Sequence, residues 1–249
     1  MDKITVVEPG YMLLTPVDWF PGMLDVIEQA GRTCYKSENK ITDGSARDFV
    51  RGIIKRGHES VIEHCVITVK IYCSRACSHQ LVRHRIAAYS QESQRYCDYG
   101  KLGLQVICPP RMGKHNHDLP SGTYKRSDNS ELYRIEPDKD IAIYDWYYQD
   151  GWRVSSWWLD RINDAYKSYL HMLQKGHSPE DARFMLPNAT KTEVVATFNL
   201  RQWRHVFKHR ALNKRAQWEI RKIMRAIMAK FITLMPAVFG DLEEEDGTD

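Results

Sequence analysis

No run of apolar residues in this 249-residue chain approaches the roughly 18 needed to cross a membrane. The first ten residues, MDKITVVEPG, lack the apolar core of a signal peptide, so no membrane partner and a cytoplasmic location are expected. No GxGxxG opens a helix after the first strand and no GxxxxGK[ST] occurs anywhere, which leaves the usual Rossmann and P-loop ways of holding a nucleotide unsupported. The six cysteines (34, 65, 73, 77, 97 and 108) form no CxxC pair and no disulfide framework. Cys73-x3-Cys77 with His79 nearby is the one metal-like spacing, but no second cysteine pair closes a tetrahedron and no metal is expected. Acid is scarce where base is dense. Residues 201–225 hold nine Lys or Arg against one acid, Glu219, whereas residues 241–249 hold six acids and are expected to form a disordered tail.

What is present is the composition of an ordinary globular protein, 43% hydrophobic and 27% charged, read here as a single domain over 1–240. A strand is expected at 3–7 and an amphipathic helix at 16–31. A second helix is expected at 45–56, capped by Ser45 and stopped by Gly57, and a strand with alternating apolar positions at 64–73. A short helix starts from Ser74 as N-cap, with Arg83 and Arg85 leaving its last turn. From 109 to 137 the chain is rich in Pro, Gly, Ser and Asn and reads as a long loop-rich insertion. Helical periodicity returns at 140–174, broken near Asp150-Gly151. A strand at 192–199 and helices at 200–211 and 214–235 complete an α+β pattern without regular βαβ alternation, a mixed or antiparallel sheet with packed helices.

The densest chemistry lies in Gln80-Leu-Val-Arg83-His84-Arg85, followed after seven residues by Ser93-Gln94-Arg95-Tyr96. Cations, amides and hydroxyls gathered this way suit an anion, because the guanidinium fork binds phosphate bidentately and stays charged in any environment. Gly57-His58-Glu59-Ser60 lies upstream, with Glu63 and His64 close behind. Asn199-Leu-Arg201, His205, Arg210 and Ala216-Gln217-Trp218-Glu219 lie downstream.

Taken together, Arg-His-Arg-x7-Ser, the upstream Gly-His-Glu-Ser and the downstream Asn-x-Arg resemble the flavin-dependent thymidylate synthases. Arg32-Thr33-Cys34-Tyr35 and Ala182-Arg183 add to the likeness. The resemblance implies that family's fold and its conversion of dUMP to dTMP. The one-carbon unit would come from methylenetetrahydrofolate and the hydride from FAD reduced by NADPH, with no enzyme nucleophile. It implies FAD contacts at Ser60, Arg83, His84, Arg85 and Gln91, and at Asn199, Arg201 and His205, with His58 and Glu63 in support. For dUMP it implies Gln80, Arg83, Gln91 and Glu92, the run Ser93, Gln94 and Arg95, and Arg183 and Arg210. Arg210 would be catalytic, its guanidinium stabilising negative charge on the uracil ring. Whether Gln91 or Glu92 faces the ligand stays open. The family's homotetramer, with active sites drawn from several subunits, is likewise implied, and residues 110–155 exceed the family core. A nucleic-acid-binding reading, with Trp203, Phe207 and Trp218 interleaved among arginines, accounts for the charge alone. No nucleic-acid partner is expected.

Overall fold

The computed structural model describes residues 4–109, 122–126, 132–136, 139–143 and 151–243. The chain divides into two compact units, one formed by Met1–Pro9, Tyr72–Ser78 and Gln91–Glu193, the other by Gly10–Ile71, His79–Ser90 and Val194–Asp249.

In the first unit β1 (Ile4–Val6) pairs in parallel with β5 (Leu104–Val106) and antiparallel with β6 (Gly122–Arg126). Antiparallel β7 (Leu132–Glu136) and β8 (Lys139–Ile143) extend the sheet to the order β5-β1-β6-β7-β8. Strands therefore occupy 122–126 and 132–136, within the stretch expected to be a loop. The short segments TYKR and LYRI are strand formers flanking Ser-Asp-Asn-Ser, a turn composition, and each is too short to give an apolar period by itself. The rest of the expected insertion lies outside the described residues. Residues 139–143 are likewise strand, and the helix expected from 140 begins at Gly151, where α5 (Gly151–Gln174) starts. From Trp158 onward, buried Trp158, Ile162, Tyr166 and Tyr169 recur at helical spacing and pack with Ile4, Val6, Leu104 and Val106. The Tyr166 hydroxyl donates to the Tyr99 carbonyl at 2.8 Å, and the Tyr169 hydroxyl accepts from the Tyr99 amide at 3.1 Å. These two bonds pin the first residue of α4 (Tyr99–Leu102).

In the second unit α1 (Phe20–Thr33) and α2 (Ser45–Lys55) are the helices expected at 16–31 and 45–56. Ser45 does not cap α2. Gly44 takes the cap position at a φ of 76°, and the Ser45 hydroxyl donates to Glu28 Oε2 at 2.7 Å. The other oxygen of Glu28 accepts from Arg32 Nε and Nη2 at 3.0 and 2.7 Å, so a buried carboxylate ties the two helices together. A four-stranded sheet runs in the order β2 (Gly10–Leu13), β3 (Val66–Ser74), β9 (Lys191–Asn199), β4 (Ala88–Gln91). Alternate residues are buried in β3 (Ile67, Val69, Ile71) and in β9 (Val194, Ala196, Phe198), as the two-residue period of a strand requires. Trp203 and Phe207 of α7 (Leu200–Phe207) meet Phe231 of α8 (Trp218–Leu234) in an edge-to-face cluster completed by Phe20, Phe198 and Phe239. The expected tail does not begin at 241. Residues 241–243 form a further helical turn in which Leu242 is fully buried and Asp241 pairs with Arg204, while 244–249 lie outside the described residues.

Candidate active site

In the second unit α2 ends at a left-handed Gly57 (φ 72°), whose amide bonds the Ile54 carbonyl while the His58 amide bonds that of Ile53, both at 2.9 Å. This double closure turns the chain sharply into the 3-10 segment Glu59–His64. Glu63 on that segment accepts from Arg201 at 2.6 Å, and Glu59 accepts from Arg204 at 2.9 Å. Arg204 is 3% exposed and is satisfied on all sides, by Glu59, by both oxygens of Asp241 at 2.7 Å and by the Val238 carbonyl. The cation excess around 201–210 is thus balanced in part by carboxylates distant in sequence.

α3 (Arg75–Leu81) carries its Ser74 cap as expected, the Ser74 hydroxyl accepting from the Cys77 amide at 3.1 Å. It stops at Leu81, so Arg83, His84 and Arg85 stand on the loop beyond its end and not in its last turn. The Tyr89 hydroxyl, 2.8 Å from the carbonyls of both Leu81 and His84, holds that loop. His84 is buried. Burial foremost, then the neighbouring Arg210, His205 and His209, push its pKa down to about 4, so the imidazole is neutral near pH 7. Its Nε2 accepts from Arg210 Nε at 3.0 Å, and Arg210 Nη1 lies 3.5 Å from Gln80 Oε1. Arg210 takes its position from a π-helical segment, Lys208–Leu212, that follows α7 directly. The same segment sets His209 beside His205, with ring centroids 4.3 Å apart.

A cavity of about 430 Å³ opens among Arg83, His84, Arg85, Asn199, Arg201 and His205, with Glu63, Ile86 and Gln202 completing its wall. Asn199 also caps α7, its Oδ1 accepting from the Gln202 amide at 2.8 Å. His58 and Ser60 are exposed on the neighbouring segment and stand outside that wall.

In the first unit Gln91 and Glu92 diverge. The Gln91 amide donates to the hydroxyls of Ser78 (3.0 Å) and Thr192 (3.3 Å), whereas Glu92 accepts from the Tyr99 hydroxyl at 2.7 Å. Ser93 Oγ accepts from the Arg95 amide at 3.3 Å, and the Ser93 carbonyl accepts from the amides of Tyr96 and Cys97. Arg95 Nε pairs with Glu180 at 2.8 Å, and Arg183 Nε donates to the Glu180 carbonyl at 3.1 Å, so both guanidinium groups meet at one residue. Gln94 is half-buried beside them in sequence.

The family model described as thymidylate synthase complementing protein matches residues 17–237. The chain belongs to the flavin-dependent thymidylate synthase family. It is 31% identical over 242 residues to the flavin-dependent thymidylate synthase of Pyrococcus furiosus, covering 96% of this chain and 83% of that one. It is 33% identical over 247 residues to the enzyme of the same name from Mycobacterium bovis, covering 97% and 88%. Its fold is that of the UMP/dUMP methylase PolB from Streptomyces cacaoi, solved with 5-Br UMP bound, with a TM-score of 0.68 at 19% identity over 97% of this chain and 96% of that one.

The wall of the second-unit cavity suits the family's flavin. Arg83 and Arg85 are exposed there, and among the described residues neither makes an ion pair, so two fixed cations face a concavity lined by amides and imidazoles. That donor set matches a diphosphate and a hydrogen-bonding ring system. Reading the motifs alone missed Glu59, Glu180 and His209. Acids beside a cation-rich motif were the available signal for the first two, and the i, i+4 spacing from His205 was the signal for the third. Cys73 and Cys77 are buried, and among the described residues no group of three or more His, Cys, Asp or Glu is arranged to hold a metal ion.

Proposed function

We propose that this protein converts dUMP to dTMP, with methylenetetrahydrofolate as one-carbon donor, NADPH as reductant and FAD as cofactor. The observation that supports it most is the convergence of Arg83, His84, Arg85, Asn199, Arg201 and His205 on one cavity, with Arg210 bonded to His84 at its edge. When bound, FAD supplies the hydride that completes the methyl group. We assign Arg83, Arg85, Asn199, Arg201 and His205 to holding it, with Glu63 fixing Arg201 and with His58 and Ser60 acting through the segment they belong to.

For dUMP we assign the phosphate to Ser93, Arg95 and Arg183, with Gln94 and Gln91 shaping that stretch. Ser93 binds and does not attack. The partner found for its Oγ is a backbone amide, a donor that has no means of taking its proton. Arg210 is assigned the uracil edge. His84, neutral and accepting from Arg210 Nε, aims the guanidinium and leaves its Nη groups to stabilise charge as the ring is activated, with Gln80 in reach of one of them. No thiolate is needed. Burial pushes the Cys65 thiol up to about 11, and Cys73, Cys77 and Cys108 are equally shut away. A homotetramer is proposed with the function, and exposed Met12 on β2, Leu14 just after it and Val66 on β3 offer apolar surface for such assembly.

Chromatography of the nucleotide product tests the reading. dTMP is expected from dUMP only when FAD, NADPH and methylenetetrahydrofolate are all supplied, and dTMP formation without flavin would overturn it.

A further inference from the structure

Glu92 sits immediately before Ser93, yet its carboxylate is engaged inside the first unit. Oε1 accepts from the Tyr99 hydroxyl at 2.7 Å, and the Glu92 amide donates to the Glu193 carbonyl at 2.9 Å. Oε2 is buried without a hydrogen-bond partner, 3.6 Å from the ammonium of Lys191. Lys191 is itself largely buried and also pairs with Glu193. Tyr99 is held rigidly, since α5 binds both its amide and its carbonyl through Tyr169 and Tyr166. Burial first, and then Glu92, raises the phenol pKa far above its ordinary range, so Tyr99 remains a donor throughout the working pH range. A cavity of about 330 Å³ adjoins the cluster, but in its wall Glu92 is engaged by Tyr99 and Lys191 by Glu193.

We propose that Glu92 is a positioning residue for the nucleotide phosphate: clamped between Tyr99 and Lys191, it fixes the turn from Ser93 to Cys97 that presents the Ser93 hydroxyl and the Arg95 guanidinium. The inference rests on the assignment of Ser93 and Arg95 to dUMP. Two features argue for it. The clamp acts on the residue adjoining Ser93, and the Ser93 carbonyl is the anchor of the turn, accepting from the amides of Tyr96 and Cys97 at 3.2 and 2.9 Å. Lys191 also cancels a carboxylate charge that would otherwise repel a dianion bound one residue away.

The test is steady-state kinetics of Glu92→Gln, Tyr99→Phe and Lys191→Met, with bound flavin measured alongside. Glu92→Gln should raise KM for dUMP about tenfold, because the amide oxygen is a weaker acceptor for the Tyr99 hydroxyl and the ion pair with Lys191 is lost, while kcat and flavin content stay close to wild type. Tyr99→Phe should act in the same direction, and the effect of the double variant should fall short of the sum of the two, because both substitutions loosen the same clamp. Lys191→Met should raise KM as well, by unmasking the charge. An unchanged KM in Tyr99→Phe, or a kcat that falls together with flavin loss, would overturn the proposal, and Tyr99→Phe decides the matter should Glu92→Gln fail to fold. A wild-type protein that does not turn over dUMP would instead refute the underlying assignment.

Discussion

Arg210 donates through Nε to Nε2 of His84 at 3.0 Å, joining the Arg-His-Arg signature to a guanidinium 126 residues further along the chain. The bond requires a neutral imidazole with its proton on Nδ1, which is the state that burial and three neighbouring cationic or titratable groups favour. It also orients the guanidinium, leaving Nη1 and Nη2 as the donors directed elsewhere.

Arg210→Ala should therefore keep its flavin and lose most of its turnover, on the order of hundredfold or more in kcat, as expected for one preorganised charged donor. Flavin absorbance and dTMP formation measured on the same sample check this. Near-normal turnover would remove Arg210 from the chemistry.

Stability should decline as pH falls from about 6.5 toward about 4. In that window the unfolded chain protonates the imidazole of residue 84 and the folded protein does not, so the unfolded state binds more protons and gains. The effect at full extent is about 3 kcal/mol. Urea unfolding at several pH values should show this slope in wild type and a shallower one in His84→Asn.

Ser93→Ala should weaken dUMP binding and slow turnover without abolishing it. A nucleophile would leave essentially no activity after substitution. Product assays at saturating dUMP separate the two outcomes, and a nucleotide adduct on Ser93 detected by mass spectrometry would refute the binding role.

Arg204→Met should destabilise the protein by about 2 kcal/mol, because the bonds of the buried guanidinium to Glu59, Asp241 and the Val238 carbonyl are lost while the two carboxylates keep partial access to water. Denaturant titration measures this directly. Truncation after Gly240, which deletes Asp241 and the buried Leu242, should shift the midpoint in the same direction.

Local features were legible in the amino-acid order because their causes are local. Gly57 ends α2 through two bonds to residues three and five positions earlier, and alternation marked β3 and β9 correctly. The signature also placed Arg83, His84 and Arg85 together with Asn199 and Arg201 at one cavity. Pairings across long separations were not legible. Asp241 read as part of a charged tail, yet it binds Arg204, and Glu92 read as a ligand candidate, yet it faces Tyr99. Spacing within a motif shows which side chains share a face, and says nothing of the partner supplied by a distant segment. The strands at 122–126 and 132–136 escaped for another reason: pairing stabilises them, and a five-residue strand carries too few positions to show a period.

The absorption spectrum of the purified protein, taken before and after addition of FAD and again after denaturation, tests the central claim most directly. A yellow protein is expected, with flavin bands close to those of free FAD, releasing the cofactor on denaturation and regaining it on refolding with FAD. A colourless preparation that takes up no added FAD would contradict the assignment of Arg83, Arg85, Asn199, Arg201 and His205 to a flavin site, and with it the proposed route to dTMP.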